Sequence, residues 1–191
     1  MTSLSWFRKP SAHHVLQGEK IYLRAPEVAD FEEWAHLRHL SRDFLEPWEP
    51  SWSADEFSRM AFRMRVKVYQ QRVRDDDAYT YFLIDQRSGK LIGGLSLSHI
   101  RRGVSQAATL GYWMGAPFVR QGSMSDAIKT VLAAAKPVFG LHRLEAACLP
   151  RNEASRRLLL KRGFEQEGFA KAYVKIAGQW EDHVLFGRVV D

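Results

Sequence analysis

The sequence lacks the features of a disulfide-bonded, membrane-spanning or secreted protein. Its 191 residues contain one cysteine, Cys148, so a disulfide within the chain is excluded and a reducing, cytoplasmic compartment is expected. No run of about 18 apolar residues is present, so neither a membrane-spanning helix nor a membrane partner is expected. No apolar stretch follows Arg8 and Lys9 in the first 17 residues, and this predicts no secretory signal.

Repeats, low-complexity segments and linkers are also missing, and 46% of the residues are apolar, enough for one good-sized core. We expect a single domain over residues 19–191, preceded by an N-terminal arm over residues 1–18 that Trp6 and Phe7 dock onto the body.

The net charge is +6, from 28 Lys and Arg against 22 Asp and Glu. This favours RNA or a polyanionic cofactor as a partner, although the basic residues are scattered, and an ordinary basic surface explains them equally well.

A glycine loop that leads into a helix is the most informative local feature. A short apolar run over residues 110–114 predicts a buried strand, and the loop around Gly122 follows it. Apolar residues at helical spacing then begin at Ala127. Such a loop gathers free backbone N–H groups and the positive end of the helix dipole at one point, and phosphate is the usual occupant. The loop therefore predicts a phosphorylated cofactor.

Alternating strand and helix signals place the chain in the α/β class. The order βααβββαβαββ predicts a mixed sheet of about seven strands with four helices on both faces. Short connections between the central strands imply antiparallel neighbours. Residues 53–56 match a capping box and predict the start of the second helix. The predicted buried face of that helix consists of Phe57, Met60, Ala61, Met64 and Val68.

Three other candidate sites have simpler explanations. The run Asp75–Asp77 fits a solvated turn better than a metal site, because consecutive carboxylates rarely converge. His36 and His39 share a helix face at metal-ligand spacing, but no third ligand is evident. Cys148 lies in an apolar strand, where a buried thiol is commoner than an acyl-enzyme nucleophile. No metal is therefore expected.

The order of elements, the Gly122 loop, the segment Asn152–Ser155 and Arg162-Gly163-Phe164 together resemble the GNAT superfamily of acetyl-CoA-dependent N-acetyltransferases. The resemblance is closest to the ribosomal-protein-alanine N-acetyltransferases of the RimJ/RimL type and extends from Ile21 to Val189. Further landmarks are Phe44-Leu45-Glu46-Pro47-Trp48-Glu49-Pro50, Leu110-Gly111-Tyr112-Trp113 and Gly178-Gln179-Trp180-Glu181-Asp182-His183. The chain departs from the family pattern at Val119 and Met124, the ends of the glycine loop, and at Thr109, where many relatives carry a glutamate as candidate base.

The resemblance implies an acetyl-CoA cleft where the strand ending at Met114 separates from the strand over residues 144–149. Trp113 and Met114 would contact the pantetheine arm. The pyrophosphate would lie against the loop and helix start, formed by Val119, Arg120, Gln121, Gly122, Ser123, Met124 and Ser125. Asn152 would hydrogen-bond the pantetheine side of the cofactor, and Ser155 would act as the general acid for the departing thiolate. Helix capping alone is the alternative role for Asn152 and Ser155.

The implied reaction is direct attack of a neutral amine on the thioester. At pH 7 about one seventh of an α-amino group is neutral, compared with about 0.04% of a lysine. The vacant base position at Thr109 therefore favours protein N-termini as acceptors. Glu49 is the candidate for holding the ammonium and relaying its proton through water, and a solvated loop carboxylate is the alternative. His99 is a second, weaker candidate base.

We therefore expect an acetyltransferase that acts on the N-terminal alanine or serine of a protein, as a monomer or a homodimer. A ribosomal protein is the expected acceptor, and the basic surface is expected to contact the ribosome or RNA. Two alternatives remain open. One is acetylation of a small molecule, as in aminoglycoside-modifying enzymes. The other is a non-catalytic ribosome- or RNA-binding factor built on the same scaffold.

Overall fold

The computed structural model of the protein describes residues 14–190, which form one eight-stranded sheet and five α-helices. The helices are α1 (Phe31–Leu40), α2 (Arg42–Leu45), α3 (Arg59–Arg74), α4 (Ser123–Ala135) and α5 (Glu153–Lys161). The strands are β1 (Leu16–Gln17), β2 (Ile21–Arg24), β3 (Tyr79–Asp85), β4 (Leu91–Arg101), β5 (Ala107–Met114), β6 (Arg143–Cys148), β7 (Glu165–Ile176) and β8 (Gln179–Val189). The predicted mixed α/β class and element order are confirmed, with the short β1 and α2 as additions. The expected docking of Trp6 and Phe7 lies outside the described residues.

The strands follow the order β1-β2-β3-β4-β5-β6-β8-β7. Every neighbouring pair is antiparallel except β5 and β6, as the short connections between β3, β4 and β5 predict. The parallel pair is brief, because it extends only from Ala107↔Arg143 to Thr109↔Glu145. Beyond Thr109, β5 stays paired with β4 while β6 stays paired with β8, so the two halves of the sheet separate.

Each face of the sheet is covered by its own hydrophobic cluster. On one face, α4 and α5 bury residues such as Ile128, Val131 and Leu159. On the other face, α1 and α3 bury Trp34 and Phe62, whose ring centroids lie 4.7 Å apart. Within residues 14–190, no helix combines the length and the apolar character that crossing a bilayer requires.

The start of α3 differs from the prediction. Ser58, not Ser53, is the N-cap residue, and its Oγ accepts a hydrogen bond from the backbone N–H of Ala61 at 3.1 Å. The Ser53 hydroxyl donates instead to Asp55 at 2.8 Å. The capping box over residues 53–56 is therefore wrong, because residues 54–57 form turns and the helix begins only at Arg59.

The buried face of α3 was also predicted wrongly. Met60 is 68% exposed, and Met64 and Val68 are about half exposed, whereas Phe62 and Val66 are fully buried. The helix carries two apolar rows at compatible spacing, and the row that contains the aromatic ring faces the core. Phe62 buries more apolar area than a methionine and contacts two further aromatic rings of α1, so this orientation is the more stable one.

Two predicted helix ends are confirmed by the backbone. α4 ends at Ala135, two residues before Pro137, which cannot continue a helix. Gly163, just beyond the end of α5 at Lys161, has a φ of +76°, and the N–H of Phe164 donates to the carbonyl of Leu159 at 3.1 Å. This left-handed glycine closes the last turn and directs the chain into β7.

Candidate active site

The separation of β5 from β6 opens a cavity of about 630 Å³, called here the first cavity. Its walls are the unpaired side of β5, the loop before α4, the end of β6 and the first turn of α5. All of the predicted site residues except Gln121 line it, namely Glu49, Trp113, Met114, Val119, Arg120, Gly122, Ser123, Met124, Ser125, Asn152 and Ser155. The tertiary structure thus gathers into one cleft residues that are spread over more than 100 positions of the chain.

The Gly122 loop has the backbone that an anion site requires. Gly122 has a φ of +83°, which only glycine adopts without strain, and its carbonyl accepts the N–H of Asp126 at 3.0 Å to begin α4. The N–H groups of the first helical turn have no helix carbonyl before them and are free for a ligand. The unusual residue Met124 turns its side chain into the hydrophobic core. Its identity therefore reflects packing, whereas the groups suited to an anion belong to the backbone.

Asn152 and Ser155 are joined at the start of α5. The Asn152 Oδ1 atom accepts the N–H of Ser155 at 3.0 Å, so the predicted capping role is confirmed. The Ser155 hydroxyl also lies 2.7 Å from the hydroxyl of Tyr112 on β5. Burial raises the pKa of Tyr112 above its usual value, so this phenol stays protonated. Burial likewise raises the pKa of the Cys148 thiol, and the adjacent Ser155 hydroxyl partly offsets that shift.

A second cavity of about 560 Å³ lies beside the first. It is lined by α3 and by the faces of β3 and β4. The two cavities share four lining residues, which are Glu49, Gly111, Tyr112 and Trp113. Molecules bound in the two cavities would therefore meet at these four residues, which we call the junction.

An ion pair fixes Glu49 at the junction. Both carboxylate oxygens of Glu49 pair with the guanidinium of Arg38, one of them at 2.8 Å, and Trp52 Nε1 donates to the same carboxylate at 2.9 Å. Arg38 is only 6% exposed and lies between the rings of Trp52 and Trp113, 4.6 and 4.8 Å from their centroids. A buried pair with this bidentate geometry is rigid, so Glu49 has a fixed orientation.

The predicted alternative groups lie at the edge of the site. Thr109 lines neither cavity, whereas His99 lines the second cavity at a bulge where its φ is +50°. His99 lies three residues along β4 from Ser96, which pairs with Gly111 at the junction. Among residues 14–190, no group of three or more His, Cys, Asp or Glu side chains is arranged to hold a metal ion.

Sequence reasoning missed three residues of this region. Arg38 carries no motif, because its partner Glu49 lies on a different element. Tyr112 was a family landmark without an assigned role, and its contact with Ser155 joins β5 to α5. Lys20, directly before β2, approaches the Gly122 loop and contacts Gln121, which is 101 residues away in sequence. Local patterns contain no signal for any of these contacts.

Comparison with known proteins gives matches over nearly the whole chain. The sequence model of the acetyltransferase (GNAT) domain matches residues 20–165. A probable N-acetyltransferase of Bacillus subtilis, YjcK, is 38% identical over 88% of this chain and 93% of its own length. The [ribosomal protein uS5]-alanine N-acetyltransferase of Escherichia coli is 33% identical over 83% of this chain and 82% of its own length. The structure of Mycobacterium smegmatis RimJ in complex with CoA-disulfide superposes with a TM-score of 0.87 at 24% identity, over 92% of this chain and 87% of that one.

Proposed function

Because this chain belongs to the GNAT acetyltransferase family, we propose that it transfers the acetyl group of acetyl-CoA to the α-amino group of a protein N-terminus. The observation that carries the proposal is the junction, where an anion-binding cleft and a second cavity meet at one stretch of β5. The two substrates of an acetyl transfer need such an arrangement, since the amine must reach the thioester carbon directly.

The residues that line the first cavity suit coenzyme A. The N–H groups at the start of α4 would hold the diphosphate, because the helix dipole favours negative charge there. The backbone of β5 beyond Thr109, which is not paired with β6, would hold the pantetheine arm, because the amides of the arm could complete the strand pairing of residues 110–114. The superposed RimJ structure holds a CoA-disulfide, which agrees with this assignment.

Ser155 and Tyr112 serve the departing thiolate. The two hydroxyls lie 2.7 Å apart and either can donate; with the protonated Tyr112 as the donor, the Ser155 hydrogen is available to the first cavity. A hydrogen bond aimed at a developing negative charge lowers the barrier more than it stabilises the neutral thioester. Ser155 is thus the catalytic residue on the cofactor side, and Tyr112 orients it.

Glu49 serves the incoming amine. Its carboxylate lines both cavities, and Arg38 and Trp52 hold it in place. These donors leave one lone pair of the Oε1 atom for the ammonium or for a water that carries its proton away. An α-amino group needs little help of this kind, because about one seventh of it is neutral at pH 7.

The proposed acceptor is the N-terminal alanine or serine of a ribosomal protein. The Escherichia coli relative acts on the alanine of ribosomal protein uS5, and its similarity to this chain covers most of both proteins. The second cavity contains both basic and acidic groups, among them Arg65 paired with Glu56 at 2.6 Å, and such polar walls suit a peptide backbone.

Mass spectrometry after incubation with acetyl-CoA and synthetic peptides tests the proposal. The peptides begin with Ala, Ser or acetyl-blocked Ala, and each contains one internal lysine. We expect acetylation of the free α-amino groups and none of the blocked peptide. Acetylation confined to lysine would refute the N-terminal assignment. Absence of acetyl-CoA binding by calorimetry at millimolar cofactor would refute the enzymatic assignment as a whole.

A further inference from the structure

We propose that Lys20 is a positioning residue for the cofactor, because it orients the peptide that presents the Gly122 N–H to the diphosphate. The inference rests on the proposed use of coenzyme A. Lys20 Nζ donates to the carbonyl oxygen of Gln121 at 2.9 Å. It also lies 3.4 Å from the point that a Cβ atom on Gly122 would occupy. The ammonium group therefore packs directly against the loop.

The backbone of Lys20 is itself fixed to α4. The Asp126 carboxylate, on the first turn of α4, accepts the N–H of Lys20 at 2.7 Å and that of Ile21 at 3.3 Å. Asp126 is buried, and Gly18 packs so closely that a Cβ there would lie 2.7 Å from its Oδ2 atom. The start of β2 and the start of α4 thus form one unit, and Lys20 has a defined path to the loop.

The hydrogen bond from Lys20 to the Gln121 carbonyl also orients the N–H of Gly122. The bond between Gln121 and Gly122 is trans, so its C=O and N–H point to opposite sides. Lys20 holds the carbonyl on the side away from the first cavity, since Gly122 lines that cavity and Lys20 does not. The Gly122 N–H must then face the cavity. The same ammonium adds a positive charge behind the diphosphate.

The test compares two acetyl donors that differ in the diphosphate. S-acetylpantetheine has the thioester and the arm of acetyl-CoA but no phosphate. In Lys20→Met, kcat/KM for acetyl-CoA relative to S-acetylpantetheine should fall about tenfold, the effect of losing a charge-assisted contact of about 1.4 kcal/mol. Lys20→Arg keeps a donor and should restore most of the ratio. Lys136→Met removes the same charge at the opposite end of α4, about 20 Å away, and should leave the ratio unchanged.

The results distinguish a failure of the positioning role of Lys20 from a failure of the proposed function. An unchanged ratio in Lys20→Met would overturn the positioning role, as would an equal loss with both donors, which indicates a general structural effect. Thermal unfolding of Lys20→Met is measured alongside, and we expect a midpoint close to that of the wild type because the side chain is exposed. A wild-type protein that does not bind CoA would overturn the proposed function together with the inference.

Discussion

The hydrogen bond between Tyr112 and Ser155 can be tested by a double-mutant cycle. Ser155→Ala removes the donor to the thiolate, and by analogy with oxyanion donors we expect a loss of about 2–3 kcal/mol, or about 30- to 150-fold in kcat. Tyr112→Phe removes only the group that orients Ser155. Its expected cost is about 1 kcal/mol, or about fivefold in kcat, which is typical of one neutral hydrogen bond.

The two effects should not add. Once Ser155 is alanine, Tyr112 has no hydroxyl to orient, so Tyr112→Phe should cost almost nothing in that background. The expected coupling is therefore about 1 kcal/mol. The assay is kcat at saturating acetyl-CoA and Ala-starting peptide. Tyr79→Phe is the matched control, because Tyr79 is also a buried tyrosine with a 2.8 Å hydrogen bond, to Asp76, and lines neither cavity.

Two results would refute this reasoning. Fully additive losses would show that Tyr112 acts independently of Ser155, and a loss of kcat in Tyr79→Phe would show that any buried tyrosine has this effect. The pH profile adds a further check. Burial raises the pKa of Tyr112, so the phenol loses its proton only above its ordinary value of 10. We therefore expect no fall in kcat from this group as the pH rises to 10.

Three further predictions concern the cofactor loop, the thiol and the core. Gly122→Glu should abolish CoA binding in calorimetry without unfolding the domain, because a side chain is strained at its φ of +83° and its Cβ would lie 3.4 Å from Lys20 Nζ, so the loop must shift. Gly89→Glu, at another positive φ of +68° with open space around it, should bind normally, and binding by both variants would contradict the phosphate role. At pH 8 the raised pKa and burial of Cys148 should slow its alkylation severalfold relative to unfolded protein, and equal rates would contradict the burial. Phe62→Ala should lower the free energy of unfolding, measured in urea, by about 3–5 kcal/mol, because the ring is fully buried. Met64→Ala should lower it by less than about 0.5 kcal/mol, because that side chain is half exposed. Equal losses in the two variants would contradict the orientation of α3.

The order of elements was predictable because each element carries its own local signal. The apolar run of β5, the glycine before α4 and the Asn152 cap of α5 each specify a structure within a few residues. The same locality explains why all of the candidate cofactor residues except Gln121 line one cleft, since they belong to two loop–helix starts and one strand end. The error in α3 has a cause outside that helix. The two apolar rows of α3 are equivalent by spacing, and the contacts with the aromatic rings of α1 determine which row is buried.

The sequence by itself determined the α/β order, the family resemblance and the glycine loop that begins α4. Only the tertiary structure decided how that loop is held and where the two cavities meet. Lys20 contacts Gln121 across 101 positions, and Arg38 binds Glu49, which lies outside its helix. No periodic pattern in the sequence therefore predicts either contact. The junction likewise exists only because β5 and β6 part after Thr109. Contacts between distant segments depend on how the elements pack, and packing is a property of the folded chain.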